Sequence, residues 1–579
     1  MSSTPPLSQA TGYGVVIGLG FLFAFGMMLT TFVLRRYNNE LQTSEVFSTA
    51  GRSVKSGLVS CAVVSSWTWA ATLLQSSSVA YRYGVSGPFW YASGATVQVI
   101  LFATLAIELK RKAPNAHTFL EAIRARYGPV THAVYIVFGL MTNVLVTAML
   151  LTGGSAVVTS LTGVPTAAAC FLLPVGVVLY TMFGGIKATF LTDYVHTVMI
   201  LVIIFIFAFT AYATSDILGS PGAVYDALVD AAERHPVAGN HEGSYLTMRS
   251  KEGAVFFVIN LVGNFGTVFC DNSYYNKAIA ASPVHALPGY IAGGLSWFAI
   301  PWLCATTMGL SALALETNPV FPTYPNRMAP EDVSAGLVLP NAAVALLGKG
   351  GAAATLLLIF MAVTSAMSAE LIAVSSIWTY DIYQTYLNPG ASNVVALLTP
   401  LIFIPILSFL PGLKTEKYDW LSMKLIRKGD DSELAASAHM DLELVPGESR
   451  QSQHEERMEQ HKLEHAAKIA RILTVVLTLA LLILWPMPMY GSGYIFSKGF
   501  FKGWIVVGIL WLFCSSAAVG VYPVWEGRHT FGRTIKSIYL DVTGKRKPVM
   551  HGRATVAEMA EVDEVVDAKG AETPPEKAV

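Results

Sequence analysis

Long apolar stretches alternate with short polar segments along most of this chain. Before residue 390 there are about nine such stretches, each about 20 residues long, which is the length of α-helix that crosses the core of a bilayer. Their centres lie near Met27, Ala70, Val99, Leu145, Val175, Ile204, Phe256, Phe298 and Ile359. Further stretches at 394–413, 472–490 and 504–522 bring the expected total to about twelve helices. The pattern predicts an all-α integral membrane protein.

The composition agrees with this pattern. The 579 residues are 53% hydrophobic and only 13% charged, whereas soluble domains carry about 25% charged residues. A chain so poor in charge needs lipid to cover part of its surface, so a lipid bilayer is an expected partner. The formal net charge of zero gives no reason to expect a nucleic acid. The cysteines are interpreted as packing residues, not as metal ligands or disulfides, because all of them fall in apolar stretches: Cys61, Cys170, Cys270, Cys304 and Cys514.

Basic residues predict the orientation of the chain. No Lys or Arg precedes the first apolar stretch, 11–34, which is long enough to span the membrane and is not expected to be a cleaved signal peptide. Arg35, Arg36, Arg52 and Lys55 follow it. By the positive-inside rule the N-terminus is therefore expected outside.

Helix seven of this series carries the most informative polar residues. They lie 4, 3 and 4 positions apart, which places them on one helical face: Asn260, Asn264, Thr267 and Asp271. Gly263 and Gly266 lie among them and are expected to let the helix unwind. An acid inside a membrane helix is usually functional, so Asp271 is expected to face a cavity or to be protonated. The alternative is an anchor at the cytosolic interface, near Lys277.

Helix two is also unusually polar. Its small polar residues are Ser65, Ser66, Thr68, Thr72, Gln75 and Ser76 to Ser78. Trp67 and Trp69 flank Thr68, and one of the two indoles could stack on a flat substrate while the other could equally face lipid. Tyr91, near the outer end of helix three, is a second aromatic candidate, with an interfacial tyrosine as the alternative.

Five short motifs, in order and each at an expected membrane boundary, resemble those of the sodium:solute symporter family. They are Gly51-Arg52-Ser53, Thr118–Glu121 with Arg126-Tyr127-Gly128, Gly184–Lys187 leading to Thr192-Asp193, Asp271–Ala278, and Thr379–Tyr383. The resemblance covers residues 45–390. It implies an inverted-repeat, five-plus-five secondary transporter fold, in which substrate and ion bind near the midplane between broken helices. Helices two to six would form the first repeat, and the second would start at helix seven.

One further stretch resembles a narrower group. Leu484–Gly493 is similar to the urea/polyamine branch of this family in fungi and plants, which implies urea transport across the plasma membrane. Urea is small, planar and neutral, so its site needs an aromatic wall and converging amide or carboxylate groups. We assign substrate binding to Trp67, Tyr91, Asn260, Asn264, Asp271 and Tyr380.

Other functions stay open at this point. A symporter of polyamine or of another small polar solute has the same chemistry, and a nutrient sensor could keep the same fold without transport. An enzyme is not expected, because the sequence contains no phosphate loop, zinc-ligand spacing or nucleophile elbow.

The resemblance also implies where a coupling ion would bind. In sodium-coupled relatives the ion is held by carbonyls of helix two and by a carbonyl and two adjacent hydroxyls of helix nine. The matching positions here are Ser65, Thr68 and Ala362 for the carbonyls, and Ser365 and Ala366 for the hydroxyl pair. Alanine has no hydroxyl, so one hard oxygen ligand is missing, which argues against Na⁺.

A proton is therefore the preferred coupling ion, as the urea branch implies. Asp271 or Glu370 could carry it, although Glu370 could equally be a packing acid paired with a hydroxyl. Sodium remains the alternative if Thr364 supplies the missing oxygen. No cofactor other than the coupling ion, H⁺ or Na⁺, is expected.

Tyr380 and Asp381 end helix nine on the expected cytosolic side. A tyrosine there can close the exit of the substrate pathway by packing and open it by rotating, so we assign Tyr380 to the inner gate. An ordinary interfacial tyrosine is the alternative.

Charge and helix count disagree near residues 388–394. A single crossing at 394–413 would place the next segment outside, yet that segment begins with Lys414, Lys417, Lys424, Arg427 and Lys428. An odd number of absent helices removes the conflict, and members of the urea branch have three more helices at this junction. The second repeat is therefore expected to be incomplete, through a skipped exon or a splice form.

This gives the following expected organisation. The chain comprises an extracellular N-terminus, 1–10; a transporter core of helices one to nine, 11–390; a further membrane helix, 391–413; a charged cytosolic loop, 414–471; two C-terminal membrane helices, 472–525; and a soluble cytosolic tail, 526–579.

Overall fold

The computed structural model of the protein describes residues 4–37, 44–388 and 448–543. The main helices, numbered in chain order, are α1 (Gln9–Leu34), α2 (Ser56–Trp67), α3 (Ala70–Tyr83), α4 (Ser86–Lys112), α5 (Phe119–Thr162), α6 (Thr166–Thr214), α7 (Lys251–Cys270), α8 (Asn272–Ala280), α9 (Pro283–Leu315), α10 (Val338–Leu387), α11 (His461–Ser492) and α12 (Lys498–Ser516). Shorter helices lie in the connections at Ser44–Thr49, Pro221–Arg234 and Pro330–Ser334. Within the described ranges nine helices are long and apolar enough to cross a membrane, and α2 with α3 forms a further, bent span. The all-α prediction is confirmed.

Helix α6 contains two of the expected spans, centred near Val175 and Ile204. It bends between them at Gly185, where φ is +55°. A Cβ at this position would lie 2.6 Å from the carbonyl oxygen of Phe47, so both the backbone conformation and the close approach require glycine. Counted as two spans, α6 reconciles the structure with the stretches expected before residue 390.

Two spans are broken inside the bundle. Helices α2 and α3 meet at an angle of 59°, with Thr68 and Trp69 between them. The Thr68 hydroxyl donates to the carbonyl of Val64 at 2.6 Å, which satisfies a polar group at the break. Helices α7 and α8 are separated by Asp271, whose backbone is extended at φ −87° and ψ 114°. These breaks bring polar backbone and side chains into the membrane interior.

Helix seven, α7 in the structure, does not unwind at its glycines as the sequence suggested. Gly263 and Gly266 both lie in regular helix within α7. The helix ends instead at Cys270, because the Asp271 side chain accepts a hydrogen bond from the Ser273 amide and so caps the N-terminus of α8.

Helix α9 forms the centre of the bundle. In its most apolar 18-residue stretch 94% of the residues are buried, compared with 22% in the corresponding stretch of α1, 28% in α5 and 17% in α7. It packs against α2, α3 and α4. The less buried helices expose large apolar side chains such as Phe25, Val144 and Ile259, as expected of surfaces that face lipid or further helices.

The helix that leads into α11 begins earlier than the expected membrane span. It starts at Glu448 and runs to Leu479, so it includes the end of the expected charged loop. Its apolar part packs on α4, where the Thr474 hydroxyl donates to the Ile100 carbonyl at 3.3 Å. The expected membrane helix at 391–413 lies outside the described residues. Residues His529–Val579 form a second compact unit, and the part of it that the structure describes, up to residue 543, is helical.

Candidate functional site

Asp271 lies at the break between α7 and α8 and is fully buried. Its Oδ1 accepts hydrogen bonds from the Ser273 amide at 2.7 Å and from Asn143 Nδ2 at 2.9 Å. The alternative of an interfacial anchor beside Lys277 is not supported, because Lys277 pairs with Asp193 instead. The carboxyl group therefore belongs to an interior site.

Glu370 of α10 belongs to the same site. The Asn143 amide that donates to Asp271 also donates to Glu370 Oε2 at 2.6 Å. Glu370 is 3% exposed, and no Lys, Arg or His of the described residues forms an ion pair with it or with Asp271. Two carboxyl groups that share one amide and no cation cannot both be ionised cheaply, so this pair is a natural place for a proton.

Trp67 ends α2 and is enclosed by other aromatic side chains. Its ring centroid lies 5.4 Å from that of Trp69, 5.1 Å from that of Tyr274 and 5.9 Å from that of Trp297. Trp67 and Trp69 are only 3% and 7% exposed, so neither indole faces lipid. Tyr274 follows Asp271 by one helical turn, and its contact with Trp67 joins the two breaks.

Carbonyl groups of α4 connect several of the proposed substrate residues. Trp67 Nε1 donates to the Ala95 carbonyl at 3.1 Å, and Asn260 Nδ2 donates to the Tyr91 carbonyl at 3.1 Å. Asn264 Nδ2 in turn donates to Asn260 Oδ1 at 2.9 Å. The Tyr91 ring is half-buried and stacks on Phe256, with centroids 6.0 Å apart. The structure thus brings Trp67, Tyr91, Asn260 and Asn264 to one helix, α4.

Two of the residues proposed for the coupling ion meet beside α6. Ser65 and Ser365 hydrogen-bond to each other, and the Ser365 hydroxyl donates to Asp193 Oδ1 at 2.8 Å. Thr68, in the break after α2, and Ala362, in α10, are fully buried. The Thr364 hydroxyl, considered as a substitute ligand, donates to the Phe360 carbonyl of its own helix at 2.8 Å. Asp193 is therefore the acidic group next to this set.

Asp193 is paired with a lysine. Lys277 Nζ lies 2.5 Å from Asp193 Oδ2 and 2.9 Å from Thr189 Oγ1, and it also lies over the Phe190 ring at 4.5 Å. The two charged side chains are 2% and 0% exposed. Sequence reasoning quoted both residues within motifs but did not pair them. The signal that was available is one acid and one base inside apolar spans, where each needs a partner.

Tyr380 lies apart from these sites, at the end assigned to the cytosol. Its hydroxyl is 2.8 Å from Ser48 Oγ, and its ring stacks on His117 with centroids 4.0 Å apart. The neighbouring Asp381 accepts from Thr118 Oγ1 at 3.0 Å and contacts His132 Nε2 at the same distance. The structure thus does not bring Tyr380 to the proposed substrate residues of α4 and α7. These contacts hold Tyr380 against the segments that precede α2 and α5.

An ion pair outside the membrane spans lies beside the Tyr380 ring. His117 Nε2 lies 2.8 Å from Glu45 Oε2. Burial by itself would raise the pKa of Glu45, but His117 and Arg52 lower it from 4.5 to about 2. Burial by itself would lower the pKa of His117, but Glu121 and Glu45 raise it from 6.5 to about 9. Both side chains are therefore charged near neutral pH.

Comparison with known proteins agrees with this geometry. A sequence profile described as the sodium:solute symporter family matches residues 47–417. The chain is 49% identical over 648 aligned positions to the probable urea active transporter 1 of Schizosaccharomyces pombe, covering 94% of each protein. It is 55% identical to the urea-proton symporter DUR3 of Oryza sativa subsp. japonica, over 67% of this chain and 55% of that protein.

A solved structure supports the fold. The substrate-bound outward-open state of a Na⁺-coupled sialic acid symporter aligns with a TM-score of 0.51 at 14% identity, covering 87% of this chain and 96% of that one. At this identity the likeness concerns the fold alone, and it confirms the expected secondary transporter fold. The profile covers more than half of the sequence, and one relative is nearly half identical over almost its whole length. The chain belongs to the sodium:solute symporter family.

Proposed function

We propose that this protein takes up urea across the plasma membrane by secondary active transport, with its N-terminus outside. The observation that carries the proposal is the buried cluster of Asp271, Glu370 and Asn143 at a helix break, joined to Trp67 through Tyr274. Amide and carboxyl groups next to aromatic rings suit a flat, neutral solute with many donors and acceptors. The names of the two relatives, a urea active transporter and a urea-proton symporter, support the same substrate.

Protons are the proposed coupling ion, and the acid pair is the proposed carrier. Asp271 Oδ2 is buried and has no hydrogen-bond partner among the described residues, so it is available to a proton or to substrate. When urea and a proton enter together, protonation removes the charge that would oppose closure around a neutral solute. Release of the proton to the cytosol restores the charge and resets the site.

Labelled-urea uptake in a yeast that lacks its own urea uptake tests this function. With the complete product of the gene, including the additional helices proposed below, uptake should exceed that of cells with the empty vector and should collapse when a protonophore is added. Uptake that survives the protonophore and requires sodium would reject proton coupling. Competition by unlabelled spermidine stronger than that by unlabelled urea would favour a polyamine substrate, and normal surface expression with no uptake would favour a sensor.

We also propose that membrane helices are missing from this sequence between residues 388 and 394. The alignment to the S. pombe relative spans 648 positions, more than the 579 residues of this chain, so that protein contains segments that are absent here. The basic residues after Leu413 support the same idea by the positive-inside rule. In α7, Gly263 and Gly266 border open space, and Thr267 bonds within its own helix. Further helices could pack opposite this polar face, so that it would line a cavity inside the protein instead of facing lipid.

Sequencing the transcript across the codons for residues 388 to 394 tests the second proposal. We expect additional coding sequence for an odd number of helices, and uptake only by the longer product. A continuous transcript, together with urea uptake by the 579-residue chain, would show that nothing is missing.

A further inference from the structure

A lysine occupies the centre of the cluster to which the coupling-ion residues belong. The Lys277 ammonium, at the C-terminal end of α8, reaches across to α6 and contacts Asp193 and Thr189 there. It is 2% exposed, and its carboxylate partner is fully buried. A buried charge of this kind persists only when it is paired, so the lysine compensates Asp193 permanently.

The oxygens of this cluster come from three different helices. Helix α6 contributes the Asp193 carboxylate and the Thr189 hydroxyl, which contact the ammonium directly. Helices α2 and α10 contribute the hydroxyls of Ser65 and Ser365, which hydrogen-bond to each other, and Ser365 donates to Asp193 Oδ1, the carboxylate oxygen opposite the one that contacts Lys277. One carboxylate with several neutral oxygens is the hard ligand set that a small monovalent cation prefers. The ammonium thus occupies one side of the carboxylate around which such an ion would be bound.

We propose that Lys277 is a tethered cation that fills a sodium site, and that removing its side chain opens this site to Na⁺. This proposal rests on the proposed function. If a lysine of the chain itself fills the cation site, Na⁺ cannot bind there, which would explain why protons and not sodium drive transport. In wild-type protein the site stays closed to Na⁺ because the ammonium and the ion would compete for the same carboxylate. In Lys277→Ala, Asp193 is left buried without a counterion, and a bound Na⁺ would replace the lost charge.

Thermal unfolding of the purified 579-residue chain tests the proposal without requiring transport. Melting temperatures are measured over a series of NaCl concentrations, with choline chloride added to keep the ionic strength constant. We expect a saturable rise of several degrees for Lys277→Ala and no specific sodium response for wild type, since a ligand stabilises only the protein that binds it. The double variant Asp193→Asn, Lys277→Ala should lose the response, because the anionic ligand is gone.

Lys110→Ala is the matched control. Lys110 is also a buried ammonium on a neighbouring helix, but its partners include the backbone carbonyls of Ile279 and Ala281, at 3.0 Å and 2.5 Å. Its removal frees these backbone carbonyls and leaves the Asp193 cluster intact, so no sodium response is expected.

Three outcomes would overturn the proposal. The first is a melting temperature of Lys277→Ala that does not change with sodium, and the second is a sodium response of equal size in Lys110→Ala. The third is a Lys277→Ala protein that cannot be recovered folded even in sodium, because Na⁺ bound in an open site would replace the lost ammonium. A failure of urea transport is distinguishable from all three. If the longer gene product shows no uptake while Lys277→Ala responds to sodium, the proposed function fails and the cation site stands.

Discussion

The membrane interior of this protein contains two acidic sites that are neutralised in different ways. Asp193 is held by the Lys277 ammonium at 2.5 Å. Asp271 and Glu370 share the amide of Asn143, and no cation of the described residues reaches them. Both sites are buried, and both lie beside the broken spans. The first carries its countercharge in the chain, whereas the second must obtain one from outside.

This difference separates the two tasks of an ion-coupled transporter. A site with a covalently attached cation can hold helices together but cannot exchange an ion with the solution in each cycle. A site with two acids and no cation changes its net charge whenever a proton arrives or leaves. The comparison therefore supports the proposals of structural charge compensation at Asp193 and of proton coupling at Asp271 and Glu370.

The largest effect on stability is expected at the paired site. Lys277→Met leaves the Asp193 carboxylate buried without its cation, which should lower the free energy of unfolding by about 3–5 kcal/mol in sodium-free buffer. Unfolding monitored in detergent measures the change.

A second variant distinguishes compensation from packing. In Asp193→Asn, Lys277→Met the charges are removed together, and replacing a buried ion pair by neutral residues is often neutral or stabilising. We expect this double variant to recover most of the lost stability. If it is as unstable as Lys277→Met, the lysine acts through its shape and not through its charge.

The second prediction concerns transport at the unpaired site. Asp271→Asn keeps the shape of the side chain but cannot release a proton, so urea uptake by the transporting gene product should fall at least about tenfold, or about 1.4 kcal/mol. Surface expression is measured in parallel, with Thr267→Val as a control from the same helix face that leaves both acids and the proposed substrate residues in place. A wild-type rate in Asp271→Asn, with normal surface expression, would remove Asp271 from the coupling mechanism.

Sequence reasoning reached one of these sites more completely than the other. Asp271 stands out because an acid near an asparagine face in an apolar stretch is unusual, and Glu370 is found in the same way. Asn143 was missed because it is one of several polar residues in α5, and nothing in the sequence distinguishes it from the others. The pairing of Lys277 with Asp193 was missed because the two residues are 84 positions apart, and only the packing of α8 against α6 brings them together. The position of the helix break was also missed, since it depends on capping by Asp271 and not on glycine content.

A third acidic site, at the expected cytosolic end, differs from both. Glu45 is compensated by a histidine, His117, at 2.8 Å. A histidine is a cation only while it is protonated. This end of the bundle should therefore respond to pH, unlike the lysine-paired site.

The third prediction follows from the pKa of His117, which is raised from 6.5 to about 9. The stabilisation from protonated His117 is complete below pH 6.5 and is lost as the pH rises through 9. The contribution of Glu45, whose pKa is lowered from 4.5 to about 2, is complete above pH 4.5 and is lost as the pH falls through 2. Near pH 6.5, His117→Gln should lower the free energy of unfolding by about 1–3 kcal/mol, because Glu45 and Glu121 lose a charged donor.

The measurement is unfolding stability of both proteins from pH 6 to pH 9.5. We expect the two curves to converge at the alkaline end, where wild-type His117 has lost its proton. Parallel curves with a constant gap would mean that His117 stabilises the protein through its stack on Tyr380 and not through its charge.

The smallest effect is expected at Tyr380, whose hydroxyl contacts the Ser48 hydroxyl at 2.8 Å. Tyr380→Phe retains the ring that stacks on His117 and loses only the hydrogen bond to Ser48, which should cost about 1 kcal/mol or less. Tyr380→Ala removes both contacts. If Tyr380 is the inner gate, the alanine variant should change the rate of urea uptake much more than the concentration of urea that half-stabilises the purified protein against heat. Phenylalanine should stay close to wild type in both measurements. Equal losses of uptake and of urea binding in Tyr380→Ala would place this tyrosine in the substrate site instead of the gate, and no change in either would leave it as an ordinary interfacial residue.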